Sequence, residues 1–353
     1  MPLQIVGRSR LFILILSLST FGLFYSKYYL QNVPDPVLAD NTAAIPSTPS
    51  SIPLVSAFFP LSKSKHTMRE YEWWLCQFLQ PITTDIYFYT SAEMVPVVRK
   101  CRGSLHITID ITFSTPFDIP PLRDLEEEYQ KMYTLDREKD LHSSALWNGK
   151  PFFLDEAVKT LSRQGRNYDY AFWNDAGSFR STHNFTDWPS LTQGSALTGQ
   201  KQEDLLFCRV PHPSHRYWQE DMGPIDNYFS EASFFGGSPQ TVSWWRATYY
   251  AYHDHYLRQG HFVGKDQNLI HALFLLFPSR VIGVWLDDPD APAHKALLPL
   301  ENKDEGFLGT CGENWFYYQF WLASAPARES MHKIWESAAR WTWGWWRQRH
   351  ECL

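Results

Sequence analysis

The run Tyr168-Asp-Tyr-Ala-Phe-Trp173 ends in Asn174-Asp175-Ala176-Gly177, with Arg180 three residues on. A carboxylate at the end of a buried strand can hold a divalent ion that also takes phosphate oxygens. Mg2+-type ions need few protein ligands when the substrate supplies the rest. Asp175 is therefore the candidate metal ligand, Trp173 and Asn174 leading into it are candidate ligand-binding residues beside it, and Arg180 offers a planar fork to phosphate or carboxylate. The plainer reading is a strand-to-turn cap in which Asp175 and Arg180 pair at the surface. In Glu231-Ala-Ser-Phe-Phe-Gly-Gly-Ser238, Gly236 and Gly237 would let backbone approach a ligand closely, the aromatics could cover a flat ring face, and Glu231 is a carboxylate available as a base. The same letters also read as a glycine-containing turn from strand to helix. In Gly264-Lys-Asp-Gln-Asn268, Asp266 and Gln267 open a helix, where Asp is commonly only a cap contributing about 1 kcal/mol.

These segments need a scaffold. Leu54–Phe59, Asp85–Thr90, Leu105–Ile111 and Tyr168–Trp173 read as strands, rich in β-branched and aromatic residues. Residues near 65–79, 124–139, 151–164, 240–258 and 265–277 carry apolar positions at spacings of three and four and read as helices. The alternation predicts an α/β fold with a mainly parallel central sheet and ligands at the carboxyl ends of its strands. Residues 177–204 and 287–304 read as surface loops, and no internal repeat is present.

The chain has 353 residues, enough for a large core, and a formal charge of −6 with no dense basic stripe, which argues against nucleic acid as a partner. Aromatics supply 16% of residues against 20% charged, a composition suited to a large core and stacking sites. His253-Asp-His255 with His261 does not read as a metal site, because helical positions two apart face different sides. His212 falls in a proline-bounded loop. The tail, with Trp335, Trp341, Trp343, Trp345 and Trp346 among arginines, reads as a packed C-terminal helix, with a bilayer interface or sugar stacking as the alternatives.

The N-terminus sets the compartment. Arg8 and Arg10 precede the apolar run Leu11–Tyr25, and Lys27 and Tyr28-Tyr29-Leu30 follow it. About 18 to 20 residues could cross a bilayer with Lys27 snorkelling. No small-x-small site follows directly, so an uncleaved signal anchor is preferred to a cleaved signal peptide. The layout is then a cytosolic tail at 1–10, a transmembrane anchor at 11–30, a Pro/Ser-rich stem at 31–53 and a lumenal domain at 54–353, a single-pass type II protein of Golgi or ER membrane. Asn184-Phe185-Thr186 is an N-glycosylation acceptor, so a glycoprotein is expected. Five cysteines without CxxC spacing permit one or two disulfides whose pairing is open.

Leu54-Val-Ser-Ala-Phe-Phe, Leu146-Trp-Asn-Gly-Lys-Pro-Phe, Phe172-Trp-Asn-Asp-Ala-Gly-Ser-Phe-Arg and Phe234-Phe-Gly-Gly together resemble the WlaTC/HtrL (YibB) glycosyltransferase family over about residues 54–285. Phe234-Phe-Gly-Gly-Ser-Pro-Gln-Thr-Val followed by Lys265-Asp-Gln-Asn is also similar, locally, to retaining transferases of the histo-blood-group type. The resemblance implies a GT-A-like nucleotide-sugar-binding fold and transfer of a sugar from a nucleotide-sugar donor to a glycan or other hydroxyl acceptor. It implies that Phe58 and Phe59 lie near the nucleotide, Asp175 at the metal and diphosphate position, and Gly236, Gly237, Asp266 and Gln267 along the sugar and acceptor. Such enzymes usually carry Asp-x-Asp, where this chain has Asn174-Asp175-Ala176. Two readings follow: Mn2+ or Mg2+ bound by Asp175, or a leaving diphosphate neutralised by Lys150 and Arg180. Asp266 is the candidate for the carboxylate that faces the sugar, Glu231 the base if the reaction inverts. The alternative to an enzyme is a noncatalytic lumenal carbohydrate-binding or scaffold protein on the same fold.

Overall fold

The computed structural model describes residues 52–60, 66–132, 141–190, 205–208, 218–226, 230–284 and 317–342. The expected anchor, nearly all of the stem, His212, the second surface loop and the last Trp residues lie outside them. Among the described residues no helix is long and apolar enough to cross a membrane.

The strands are β1 (Pro53–Phe58), β2 (Asp85–Thr90), β3 (Thr108–Asp110), β4 (Ala171–Asn174), β5 (Leu205–Cys208), β6 (Glu231–Gly237) and β7 (Val281–Val284). They form one sheet in the order β3-β2-β1-β4-β6-β5-β7. Pairs β3/β2, β2/β1, β1/β4 and β5/β7 are parallel, and β6 runs antiparallel to both neighbours. The mainly parallel α/β sheet is the one the sequence predicts. Residues of β1 are buried on both faces, as a central parallel strand requires.

The helices are α1 (Met68–Leu79), α2 (Val95–Arg102), α3 (Glu126–Met132), α4 (Leu141–Arg163), α5 (Pro239–Arg258), α6 (Asp266–Leu276), α7 (Tyr317–Trp321) and α8 (Ala325–Thr342). One face of the sheet packs Leu54, Phe58, Phe88 and Phe172 against Leu75 and Phe78 of α1, Val98 of α2, and Tyr318 and Met331 of α7 and α8. The other packs Val55, Ala57, Tyr87 and Trp173 against Phe153 and Leu154 of α4, Trp245 of α5 and Leu269 of α6.

Local signals set several helix ends. Thr67 and Glu70 form a capping box at α1, with Thr67 N donating to Glu70 Oε2 at 2.7 Å. Ser238 caps α5, its Oγ accepting from Thr241 N at 3.2 Å, with Pro239 at the first helical position. Cys76 and Cys101 form a disulfide joining α1 to α2, one of the pairings the sequence left open. Beside it the buried Arg102 donates to the carbonyls of Leu79, Ile82, Thr84 and His106, fixing the turn into β2.

The largest departure is α4. Gly149 and Pro151 read as the start of a helix at 151, but the helix runs from Leu141 straight through both. Pro151 forfeits one helical bond, while tertiary packing supplies the rest. A Cβ on Gly149 would lie 2.8 Å from the Phe153 ring and 3.2 Å from Ile119, so the glycine is there for close packing, not for a break. The helix α2 and the strands β5 and β7 were not anticipated; at four residues each, β5 and β7 are too short for periodicity to announce them.

Candidate active site

In the order β3-β2-β1-β4, β1 has its successor β2 on one side and β4 on the other, so the crossovers leave in opposite directions. A crevice opens outside the carboxyl ends of β1 and β4 at such a switch point, and ligands of open α/β sheets bind there. Phe58 ends β1, and Asp175 follows β4 directly.

Strand alternation sorts the residues of this edge. Trp173 and Asp175 point to the face of the sheet covered by α4, and Asn174 to the opposite face. On the α4 side, Lys150 Nζ lies 3.1 Å from Asp175 Oδ1 and 2.9 Å from Asp266 Oδ2, and donates to the Ala232 carbonyl at 3.0 Å. Trp173 Nε1 donates to Asp175 Oδ1 at 2.5 Å, and Gln267 N donates to Asp266 Oδ1 at 2.8 Å. Four elements therefore converge. α4 brings the lysine from its third turn as the chain crosses from the carboxyl edge back toward the amino edge before β4. The antiparallel β6 begins at this edge with Ser230 to Ser233, and α6 starts there with Asp266.

Burial divides the labour. The side chains of Lys150 and Asp266 are 4% and 7% exposed, against 32% for Asp175. Burial works against the lysine's charge, but the two carboxylates outweigh it and hold the ammonium above its ordinary pKa. Burial pushes Asp266 above the usual carboxylate value, Lys150 pulls it down, and Asp175 adds repulsion. One buried ammonium stands between two carboxylates, of which only Asp175 opens to solvent.

Asn174 does not join this cluster. It is fully buried, its Oδ1 accepting from Tyr318 Oη at 3.1 Å and Ser178 Oγ at 3.3 Å, its Nδ2 donating to the Asp175 carbonyl at 3.0 Å. Ser233 Oγ donates to Tyr318 Oη at 3.2 Å, and Asp175 N to the Ser233 carbonyl at 2.8 Å, so the turn is locked from the α7 side. Phe58 and Phe59 are both buried. Phe58 packs on Tyr71 of α1, and Phe59 stacks on Phe153, which stacks on Trp173. They buttress the edge from its two faces. Arg180 is exposed, its guanidinium 4.7 Å over the Trp74 ring and its Nε donating to the Gly177 carbonyl at 3.2 Å, on the α1 side of the same turn.

Gln267 reaches the site, but its amide donates to the Ser230 carbonyl at 2.7 Å. The backbone of Glu231 opens β6 at this edge, opposite Cys208. Gly236 and Gly237 are elsewhere: Asn174 pairs with Phe234 but Ala171 with Gly237, which puts the glycines at the amino edge, roughly 10 Å along the strand from Asp175. A Cβ on Gly236 would sit 2.1 Å from the Ala171 carbonyl oxygen, so what approaches this glycine is the neighbouring strand. Asn184 is exposed, its Nδ2 donating to Ser330 Oγ at 3.0 Å. His253 is a core residue, bonded to Tyr129 Oη at 2.8 Å.

Sequence reasoning missed Ala232, Ser233, Tyr318 and His271. The first acts through its carbonyl, and Tyr318 arrives from a helix far along the chain, so neither carries a spacing signal. His271 was visible within the α6 motif; its Nε2 accepts from Ser230 N at 3.0 Å and its Nδ1 faces the Ile225 carbonyl at 3.1 Å. Burial holds its pKa down to about 4, so the ring is neutral.

The donor set does not form a paired-carboxylate metal site. Asn174 turns its amide away, and Asp175 and Asp266 already share the Lys150 ammonium. Among the described residues no group of three or more His, Cys, Asp or Glu is arranged to hold a metal ion.

No family model matches the chain, and no curated protein matches it in sequence. Among solved structures it is similar to the crystal structure of mouse xyloside xylosyltransferase 1 in its apo form, at 10% identity and a TM-score of 0.39, over 65% of this chain and 84% of that one. The functional reading accordingly rests on the geometry of the site and the motifs.

Proposed function

We propose that this chain is a GT-A-like glycosyltransferase that moves a sugar from a nucleotide-sugar donor to a glycan or other hydroxyl acceptor. The observation that carries the reading is the Asp175–Lys150–Asp266 cluster at the switch-point crevice of a mainly parallel sheet. Glycosyl transfer passes through an oxocarbenium-like state while negative charge grows on the leaving diphosphate. A half-buried carboxylate opening to solvent, as Asp175 does, suits the positive side of that state. Asp175 is thus the residue that faces the sugar. Asp266, behind the lysine, acts as a positioning residue. Arg180, on the other flank of the turn, is the cation placed to take phosphate oxygens. No step is derived through a divalent metal.

A lumenal position behind an N-terminal anchor, in Golgi or ER, is part of the same proposal. The Cys76–Cys101 disulfide supports an oxidising compartment, and the sequon residue Asn184 lies at an exposed position. The deciding experiment measures thermal stabilisation of the purified protein by UDP-, GDP- and CMP-sugars, followed by acceptor-dependent sugar transfer with the responding donor. Stabilisation by one nucleotide class with transfer that Asp175→Ala abolishes supports the enzyme. Stabilisation by glycans alone, with no donor response, favours the noncatalytic carbohydrate-binding reading.

A further inference from the structure

We propose that Lys150 is the resident cation of this site: its ammonium stands between Asp175 and Asp266 where a divalent ion would bridge them, so these two carboxylates bind no divalent metal by themselves. The proposal concerns this chain's own residues and does not depend on the transferase reading.

An ammonium has three protons, and here it has three kinds of partner: Asp175 at 3.1 Å, Asp266 at 2.9 Å and the Ala232 carbonyl at 3.0 Å. Each carboxylate also takes one neutral donor, the Trp173 indole on Asp175 and the Gln267 backbone on Asp266. Both carboxylates lie within ion-pair distance of the same ammonium. A Mg2+- or Mn2+-type ion demands oxygen ligands at about 2.0 to 2.2 Å. To accept one between the carboxylates, the site would have to close by about 1 Å on each side and expel a buried ammonium.

The backbone beside the lysine is closely packed. One residue before it, a Cβ on Gly149 would lie 2.8 Å from Phe153 and 3.2 Å from Ile119. Two before it, the buried Asn148 donates to the Val263 carbonyl at 2.8 Å and accepts from Tyr249 Oη at 2.6 Å, tying α4 to α5 and to the segment leading into α6. The backbone that carries Lys150 is fixed by the same packing that brings Asp266 to it.

The test titrates Mn2+ into the purified full-length protein and into Asp175→Asn, reading bound Mn2+ by electron paramagnetic resonance and the melting temperature in parallel. No nucleotide is present, so failure of the transferase reading and failure of this proposal are separate results. The expected outcome is that wild type and Asp175→Asn bind Mn2+ alike. Affinity in the wild type ten-fold or more above that of Asp175→Asn would overturn the proposal. Lys150→Ala, which frees both carboxylates, is expected to gain a Mn2+ site that Lys150→Ala/Asp175→Asn lacks. A folded Lys150→Ala protein without that gain would also count against it. Should Lys150→Ala not fold, Lys150→Met serves in its place, and the comparison of wild type with Asp175→Asn stands by itself.

Discussion

Lys150 Nζ lies 2.9 Å from Asp266 Oδ2, with both side chains almost wholly buried. The two come from different helices and meet only because β4 and β6 end or begin at the same edge of the sheet. Removing one partner of such a pair leaves an uncompensated charge away from water, at a cost of about 3–5 kcal/mol. Lys150→Met should show that loss in urea unfolding. Lys150→Met/Asp266→Asn should recover most of it, because no buried charge is then left facing a vanished partner. Additive losses in the double variant would mean that the pair is not coupled.

Asp175 is the exposed member of the cluster, and Lys150 keeps Asp266 when it is gone. Asp175→Asn should therefore retain the wild-type melting temperature within a few degrees while turnover falls by about 100-fold or more, the scale of losing an electrostatic group at the reacting centre. Acceptor-dependent transfer at saturating donor is the measurement, and undiminished turnover would remove Asp175 from the site.

Gly236 separates a packing role from a ligand role. Its added Cβ would meet Ala171 and Phe172 of β4, partly backbone that cannot give way without opening the strand pair. Gly236→Ala should destabilise by about 3 kcal/mol or more. If the glycine instead lined a sugar subsite, ligand affinity would fall while the unfolding midpoint held.

Two buried imidazoles set an acid limit. Burial depresses His183 and His271 to about 4 from 6.5, against the opposing effect of hydrogen bonds to the Gln77 and Ile225 carbonyls. The unfolded chain takes up these protons first, so their contribution is intact above about pH 6.5 and is lost as pH falls toward 4. Unfolding free energy followed from pH 7.5 to 4.5 should drop across that window, and His271→Gln should flatten the slope. A profile flat down to pH 4.5 would show that neither ring is held neutral.

The Cys76–Cys101 bridge closes a loop of sequence separation 25, for which the chain-entropy account gives about 3–4 kcal/mol. Reduction, or Cys76→Ser/Cys101→Ser, should lower the melting temperature by several degrees. An unchanged midpoint under dithiothreitol would show that packing of α1 on α2 does the work alone.

Much of the frame was legible. The apolar and β-branched runs around Leu54, Asp85 and Ala171 announced parallel strands, because a strand buried on both faces must be apolar nearly throughout. Read along the sequence, Asn174 and Asp175 stand together at the ligand; the structure separates them, Asn174 turning to Tyr318 and Ser178 and Asp175 to Lys150. Asp266 and Lys150 were both singled out, each for its own motif. That they form one cluster was not legible, since nothing in local spacing links the middle of α4 to the start of α6. The glycine pair misled because a glycine admitting a ligand and a glycine admitting a neighbouring strand have the same letters around them.

The sequence by itself determined the composition of the layers, the caps at Thr67 and Ser238, and a carboxylate at the end of β4, because each follows from local periodicity and hydrogen-bonding chemistry. Only the tertiary structure decided which edge each residue reached: the antiparallel turn of β6 carried Ser230–Ser233 to Asp175 and took Gly236 away. It also decided that Lys150 stands between two carboxylates, because burial and charge pairing are properties of elements brought together from distant parts of the chain.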